Sequence, residues 1–223
     1  MKFYGMLGSN LLWASLFSLF MAGPALAQSN TANYFQLGLG NIADLGQIAN
    51  DLGVNMAGPL QIGAGNTALL SQLAEDEGFN RASQFQLGND NLASLFQWAM
   101  AQGGINIANQ FQLGLGNVSG LGQTASELGE NMAEQLQIGA DNIASIFQLA
   151  EDEGFNSASQ TQLGAGNTAL LSQLASEQGI NLSTQVEIGN SLTAIMEQQS
   201  TGNLLSTNIQ ILTGTDNVAY MAP

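Results

Sequence analysis

The chain has 223 residues, with 17 acidic side chains against two basic ones, 27 glycines, and neither histidine nor cysteine. A formal charge of −15 excludes ordinary electrostatic attraction to nucleic-acid phosphates or anionic lipid head groups. With no disulfide framework, and acid–base chemistry left to carboxylates alone, cohesion must come from backbone pairing and packing.

Residues 1–27 read as a secretory leader: Lys2 opens a short basic region, "LLWASLFSLFMA" is the apolar stretch, and Ala25, Leu26 and Ala27 offer a small-residue cleavage site before Gln28. The apolar run is shorter than the roughly 20 residues that a spanning helix needs, which favours export over anchoring. Loss of Lys2 would leave Arg81 as the only cation, a formal charge of −16. Charged residues are only 9% of the chain, but 45% are hydrophobic and they recur in register, which argues against disorder.

From residue 30 the chain repeats. Six units begin at Asn30, Asn55, Asn80, Asn106, Asn131 and Asn156, a period of 25 residues with one insertion in the third. Each continues with a first glutamine (Gln36, Gln61, Gln86, Gln112, Gln137, Gln162) and a glycine two residues on (Gly38, Gly63, Gly88, Gly114, Gly139, Gly164). An inner asparagine follows (Asn41, Asn66, Asn91, Asn117, Asn142, Asn167), then a second glutamine (Gln47, Gln72, Gln97, Gln123, Gln148, Gln173). The pattern is N-x5-Q-x-G-x2-N-x-A-x3-Q, with Ser119 in place of alanine in the fourth unit. Units one to three resemble units four to six, as "AEDEGFN" at 74 and 150 shows.

A seventh unit from Asn181 is degraded, with Glu187 for the first glutamine and Leu192 for the inner asparagine. An eighth is fainter, with Gln210 followed by a displaced Gly214 and Asn217. Residues 28–198 therefore read as a solenoid and 199–223 as a degenerate repeat or cap.

Alternate positions on either side of the Gly-rich corner share one character, polar or small, while the other parity is largely apolar. In unit five the first set is Asn131, Ala133, Gln135, Gln137 and Gly139, and the second includes Leu136, Ile138, Ile143 and Phe147. Period two around a corner predicts strand, turn, strand. The predicted class is an all-β, amyloid-type β-solenoid of about 25 residues per turn. A helix over "NTALLSQLAEDEG" competes, but Gly46, Gly120 and Gly122 in the same segment of other units favour strand.

Stacked strands place equivalent residues about 4.8 Å apart, the spacing at which side-chain amides bond to one another in ladders. The asparagines and glutamines are therefore candidate ladder residues and the glycines candidate turn residues.

The motif is similar to the curlin repeat, S-x5-Q-x-G-x2-N-x-A-x3-Q, of bacterial curli fibre subunits. The match covers residues 30–173 and, weakly, 181–198; the leading residue here is Asn, and the unit is somewhat longer than is usual in that family. The resemblance implies a strand-turn-strand solenoid, export through an outer-membrane curli secretion channel, and assembly outside the cell into biofilm-matrix amyloid. The chain would pair with itself and with a nucleator subunit, as the major subunit rather than as the nucleator.

The densest acid clusters, Glu75-Asp76-Glu77 and Glu151-Asp152-Glu153, lie in the second loops, three units apart. The loops are short and lack aromatics to hold a sugar, and they lack a calcium-loop pattern. No catalytic, cofactor-binding or metal-binding residue is expected. The rival reading is a monomeric secreted solenoid, an adhesin or surface-binding module.

Overall fold

The computed structural model describes residues 29–222; the expected leader at 1–27 lies outside the described residues. Every element is a β-strand: β1 (Ser29–Ala32), β2 (Phe35–Leu39), β3 (Ile42–Ala49), β4 (Val54–Ala64), β5 (Thr67–Ala74), β6 (Phe79–Asn89), β7 (Leu92–Met100), β8 (Ile105–Leu115), β9 (Val118–Ser126), β10 (Glu130–Ala140), β11 (Ile143–Ala150), β12 (Phe155–Ala165), β13 (Thr168–Ser176), β14 (Ile180–Asn190), β15 (Thr193–Thr201), β16 (Leu205–Thr215) and β17 (Val218–Met221). The segment for which a helix competed is β5, a strand.

The strands wind into eight rungs. Sheet A holds β1, β2 and the even-numbered strands from β4 to β16; sheet B holds the odd-numbered strands from β3 to β17. All pairings are parallel, and equivalent residues pair: Asn55 with Asn80, Gln61 with Gln86, Gly63 with Gly88, Gln72 with Gln97. The extra residue of the third unit falls in the turn between β7 and β8, so the register resumes at Ile105 opposite Phe79.

The eighth rung corrects one reading. Gly214 pairs with Gly189 and is not displaced; Leu212 lies opposite Glu187, and Gln210 lies opposite Gln185. Gln210 thus stands in the row of Gln185, two residues before the first-glutamine row.

The interior is one aliphatic column between amide columns. Leu70, Leu95, Leu121, Ile146, Leu171 and Met196 of sheet B pack on Ala57, Ala82, Ala108, Ala133 and Ala158 of sheet A. Alanine keeps the facing side small enough for the sheets to meet over a single aliphatic layer. The other inward positions are asparagine, glutamine and, on sheet B, alanines such as Ala68, Ala74, Ala93 and Ala99, while outward positions on sheet A are dominated by apolar residues such as Phe85, Leu87, Phe111 and Leu113. The usual distribution of hydrophobicity across a strand is thus largely inverted.

Glycine is obligatory at the first corner. Gly63 has φ +128°, and a Cβ there would lie 1.7 Å from the Gly88 carbonyl oxygen of the next rung. The same near-collision recurs from Gly38 to Gly189, so only glycine lets consecutive corners stack.

Candidate functional site

The predicted ladder residues meet as equivalents, rung upon rung. In the first glutamine row, Nε2 of Gln36, Gln61, Gln86, Gln112 and Gln137 donates to Oε1 of the next glutamine at 2.6–2.9 Å. The second row, Gln47 to Gln198, does the same at 2.7–2.8 Å. The other amide hydrogen crosses to the opposite sheet: Gln86 Nε2 also donates to the Thr67 carbonyl, and Gln97 Nε2 to the Arg81 carbonyl. These crossing bonds fix the amide orientation, so the glutamine rows donate toward the C-terminal end.

The leading asparagines run the opposite way. Nδ2 of Asn55, Asn80, Asn106, Asn131, Asn156 and Asn181 donates to Oδ1 of the preceding asparagine at 2.9–3.0 Å. The inner asparagines also point backward: Asn66, Asn91, Asn117 and Asn142 donate from backbone N and Nδ2 to the preceding Oδ1. Nδ2 of Asn41 and Asn66 donates forward as well, to the carbonyls of Gly63 and Gly88. Asn167 closes the row, its Nδ2 donating to the Gly189 carbonyl and its Oδ1 accepting from the Leu192 backbone N. This explains G-x2-N as one device: the glycine exposes a carbonyl that the asparagine of the previous rung holds. In interior rungs these amides are fully buried, and satisfied donors and acceptors remove the usual cost of burying them.

A third glutamine row was missed as a site. Gln84, Gln110, Gln135, Gln160, Gln185 and Gln210 form a ladder at 2.7–3.1 Å, each from Gln84 to Gln185 also donating across the core. The position holds Tyr34 and Pro59 in the first two units and so looked variable. Pro59 has no side-chain donor, and Gln84 Oε1 is left without a partner.

The two ends differ. Rung one keeps the whole motif, and among the described residues no side chain donates to Oε1 of Gln36 or Gln47. Strands β1 to β3 pair on one side only. At the far end the first glutamine row meets the buried Glu187, whose Oε2 accepts from Gln162 and whose Oε1 has no partner, and then Leu212. Burial outweighs the hydrogen bonds from Gln162 and the Ala194 backbone, and pushes the Glu187 carboxyl up to about 7. The leading asparagine row ends at Asn181, whose Oδ1 lacks a donor where Ser206 replaces asparagine.

The acidic second loops are tight turns closed by bonds such as Gly78 N to the Glu75 carbonyl and Gly154 N to the Glu151 carbonyl. They stack, and the two triplets are three rungs apart, but the neighbouring turns are not acid-free. The second position of the turn carries Asp51, Asp76, Glu127, Asp152 and Glu177, and the longer turn of the third unit sets the uncharged pair Ala101 and Gln102 between Asp76 and Glu127. A side-chain hydrogen bond with Asp152 and its charge raise the Glu127 pKa. Amides relieve part of the crowding: Asn50 Nδ2 donates to Glu75 and Gln178 Nε2 to Glu153.

Comparison with family models, curated proteins and solved structures returned no match.

Proposed function

We propose that this chain is an exported structural subunit that polymerises by strand addition into amyloid-type fibres of the curli kind on the cell surface. The observation that carries the reading is rung one: a complete set of ladder residues, Asn30, Gln36, Asn41 and Gln47, on an edge whose strands pair on one side only. An identical repeat is the best partner for such an edge, since it supplies backbone and amide groups at the same spacing. Export through an outer-membrane channel, a nucleator partner and a place in the biofilm matrix belong to the same proposal, through the likeness to the curlin repeat. The reading assigns no catalytic role and no cofactor.

The degenerate eighth rung favours a second reading, a capped monomeric solenoid acting as an adhesin or surface-binding module. Purified protein lacking residues 1–27 separates the two. The fibre reading expects thioflavin-binding fibres after a lag; protein that stays monomeric after prolonged incubation at high concentration sinks it and favours the adhesin.

A further inference from the structure

The outer face of sheet A is largely apolar and almost free of charge. Leu37, Ile62, Leu87, Leu113, Ile138 and Leu163 form one continuous outward row, and Phe85 and Phe111 in the row beside it stack at 4.7 Å with rings 3° from parallel. Parallel sheets are ordinarily covered on both faces, and here the inner face is already filled by the amide ladders. The acids of the second turns, such as Glu77 and Glu153, lie about ten residues along the strand from this row, about 33 Å away and beyond the screening length of about 8 Å.

Three charged side chains face outward from sheet A: Arg81 on β6, and Glu130 and Glu134 on β10. In register, Arg81 aligns with Ile107 and then Met132, and Met132 lies between Glu130 and Glu134. A two-fold axis parallel to the strands and passing over β8 exchanges β6 with β10 and keeps every outward position on its own row. It therefore sets Arg81 of one copy between Glu130 and Glu134 of the other, twice over, while the apolar rows meet apolar rows.

We propose that a second copy of this chain covers this face, the two sheets packing face to face about that axis with their solenoid axes antiparallel. The axis over β8 leaves β16 outside the overlap, so seven strands about 4.8 Å apart and up to 11 residues long give a shared face of about 1,200 Å², above the roughly 800 Å² per partner of a stable interface. The face repeats at the strand spacing in both copies, so ridges and grooves match over the seven overlapping strands. This lateral contact goes beyond the fibre proposal, because end-to-end addition brings together rungs one and eight and never the middle of the sheets.

The test uses the absence of cysteine, on freshly purified protein without residues 1–27, before any fibre forms. Leu113 sits on the axis, so Leu113→Cys should oxidise to a covalent dimer. Leu163, on β12, should face Ile62 on β4 of the partner, four rungs from its own copy; Leu163→Cys alone should stay monomeric, and Ile62→Cys with Leu163→Cys should cross-link. Arg81→Glu should weaken self-association in sedimentation about tenfold or more, and adding Glu130→Arg and Glu134→Arg should restore it, which a misfolded variant could not do. Leu113→Cys remaining monomeric, equal cross-linking of Leu163→Cys, or no rescue by the charge exchange would overturn the proposal. A dimer from protein that never forms fibres would leave this contact standing and remove the fibre reading.

Discussion

Gln162 donates from Nε2 to the buried Glu187 carboxylate at 2.7 Å, and the ladder that began at Gln36 stops there. A carboxyl oxygen accepts this bond whether or not the group is protonated, and Glu187 has no amide donor to pass on, so it fits the last place in a row whose amides donate forward. Leu212 beyond it asks for no hydrogen bond.

The first prediction concerns pH. Folding raises the Glu187 carboxyl from 4.5 to about 7, so the folded chain binds this proton more tightly than the unfolded chain. Stability from this group should therefore rise as pH falls from above 7 toward 4.5, and be lost above 7. At about 1.4 kcal/mol per pKa unit the full effect is on the order of 3 kcal/mol. Glu127, raised by Asp152, acts in the same direction, so the diagnostic is a difference. Glu187→Gln should flatten the pH dependence of denaturation midpoints between 5 and 8; an unchanged slope would show that Glu187 is hydrated.

The second prediction concerns the ladders. Gln86→Ala with Gln97→Ala removes two fully buried amides and leaves Gln61, Gln112, Gln72 and Gln123 each short of a partner. Each orphaned buried group costs about 1–3 kcal/mol, so the pair should lose several kcal/mol. Ser83→Ala with Ser94→Ala, both exposed on the outer faces, should lose little. Chemical denaturation measures the contrast, and assembly rates should follow it.

A third prediction concerns the second turns, whose two central residues have positive φ without being glycine. Glu127 and Leu128 have φ of 50° and 66°, and Gly129 N donates to the Ser126 carbonyl at 2.8 Å. This is the primed hairpin geometry that ordinarily selects Asn-Gly. A left-handed residue with a side chain costs about 1–2 kcal/mol, partly offset by the freedom glycine gains on unfolding. Leu128 is 56% exposed, so little burial is forfeited. Leu128→Gly should raise stability by about 0.5–1 kcal/mol and Leu128→Val should lower it, both read from denaturation midpoints.

Much of this was legible because the repeat is read twice, along the strand and across rungs. Period two located the strands and the inward parity of Gln86 and Gln97, and G-x2-N located the corner. The third glutamine row escaped because Tyr34 and Pro59 break it where the pattern was first learned. The eighth rung was misregistered because Gln210 matches two rows, and only the Gly189–Gly214 pairing decides between them. The direction of each ladder depends on the second amide hydrogen reaching the opposite sheet, which no one-dimensional pattern contains. The turn geometry is hidden for a related reason: Asp76, at φ 46°, suits a left-handed position, but Glu77, at φ 68°, stands where glycine would be the signal.

The last prediction concerns the acidic column of the second turns. Counting acid triplets suggests isolated clusters three rungs apart, but the stacked positions show two acidic runs, Asp51 with Asp76 and Glu127 with Asp152 and Glu177, separated only by the uncharged turn of Ala101 and Gln102. Carboxylates in successive rungs sit about 4.8 Å apart, well inside the screening length of about 8 Å, and the raised Glu127 carboxyl reports that crowding. The pair Ala101 and Gln102 is thus the break that keeps five acids from forming one unbroken file. Ala101→Glu with Gln102→Asp closes the gap, placing new charge beside Asp76 on one side and Glu127 on the other. The variant should be less stable than the parent at low ionic strength, should assemble more slowly if it forms fibres, and should recover most of both losses as salt is added. Glu127 should titrate still higher in the variant, since it then has a carboxylate on each side. Equal stability of parent and variant in low salt would mean that the turns do not stack in this register.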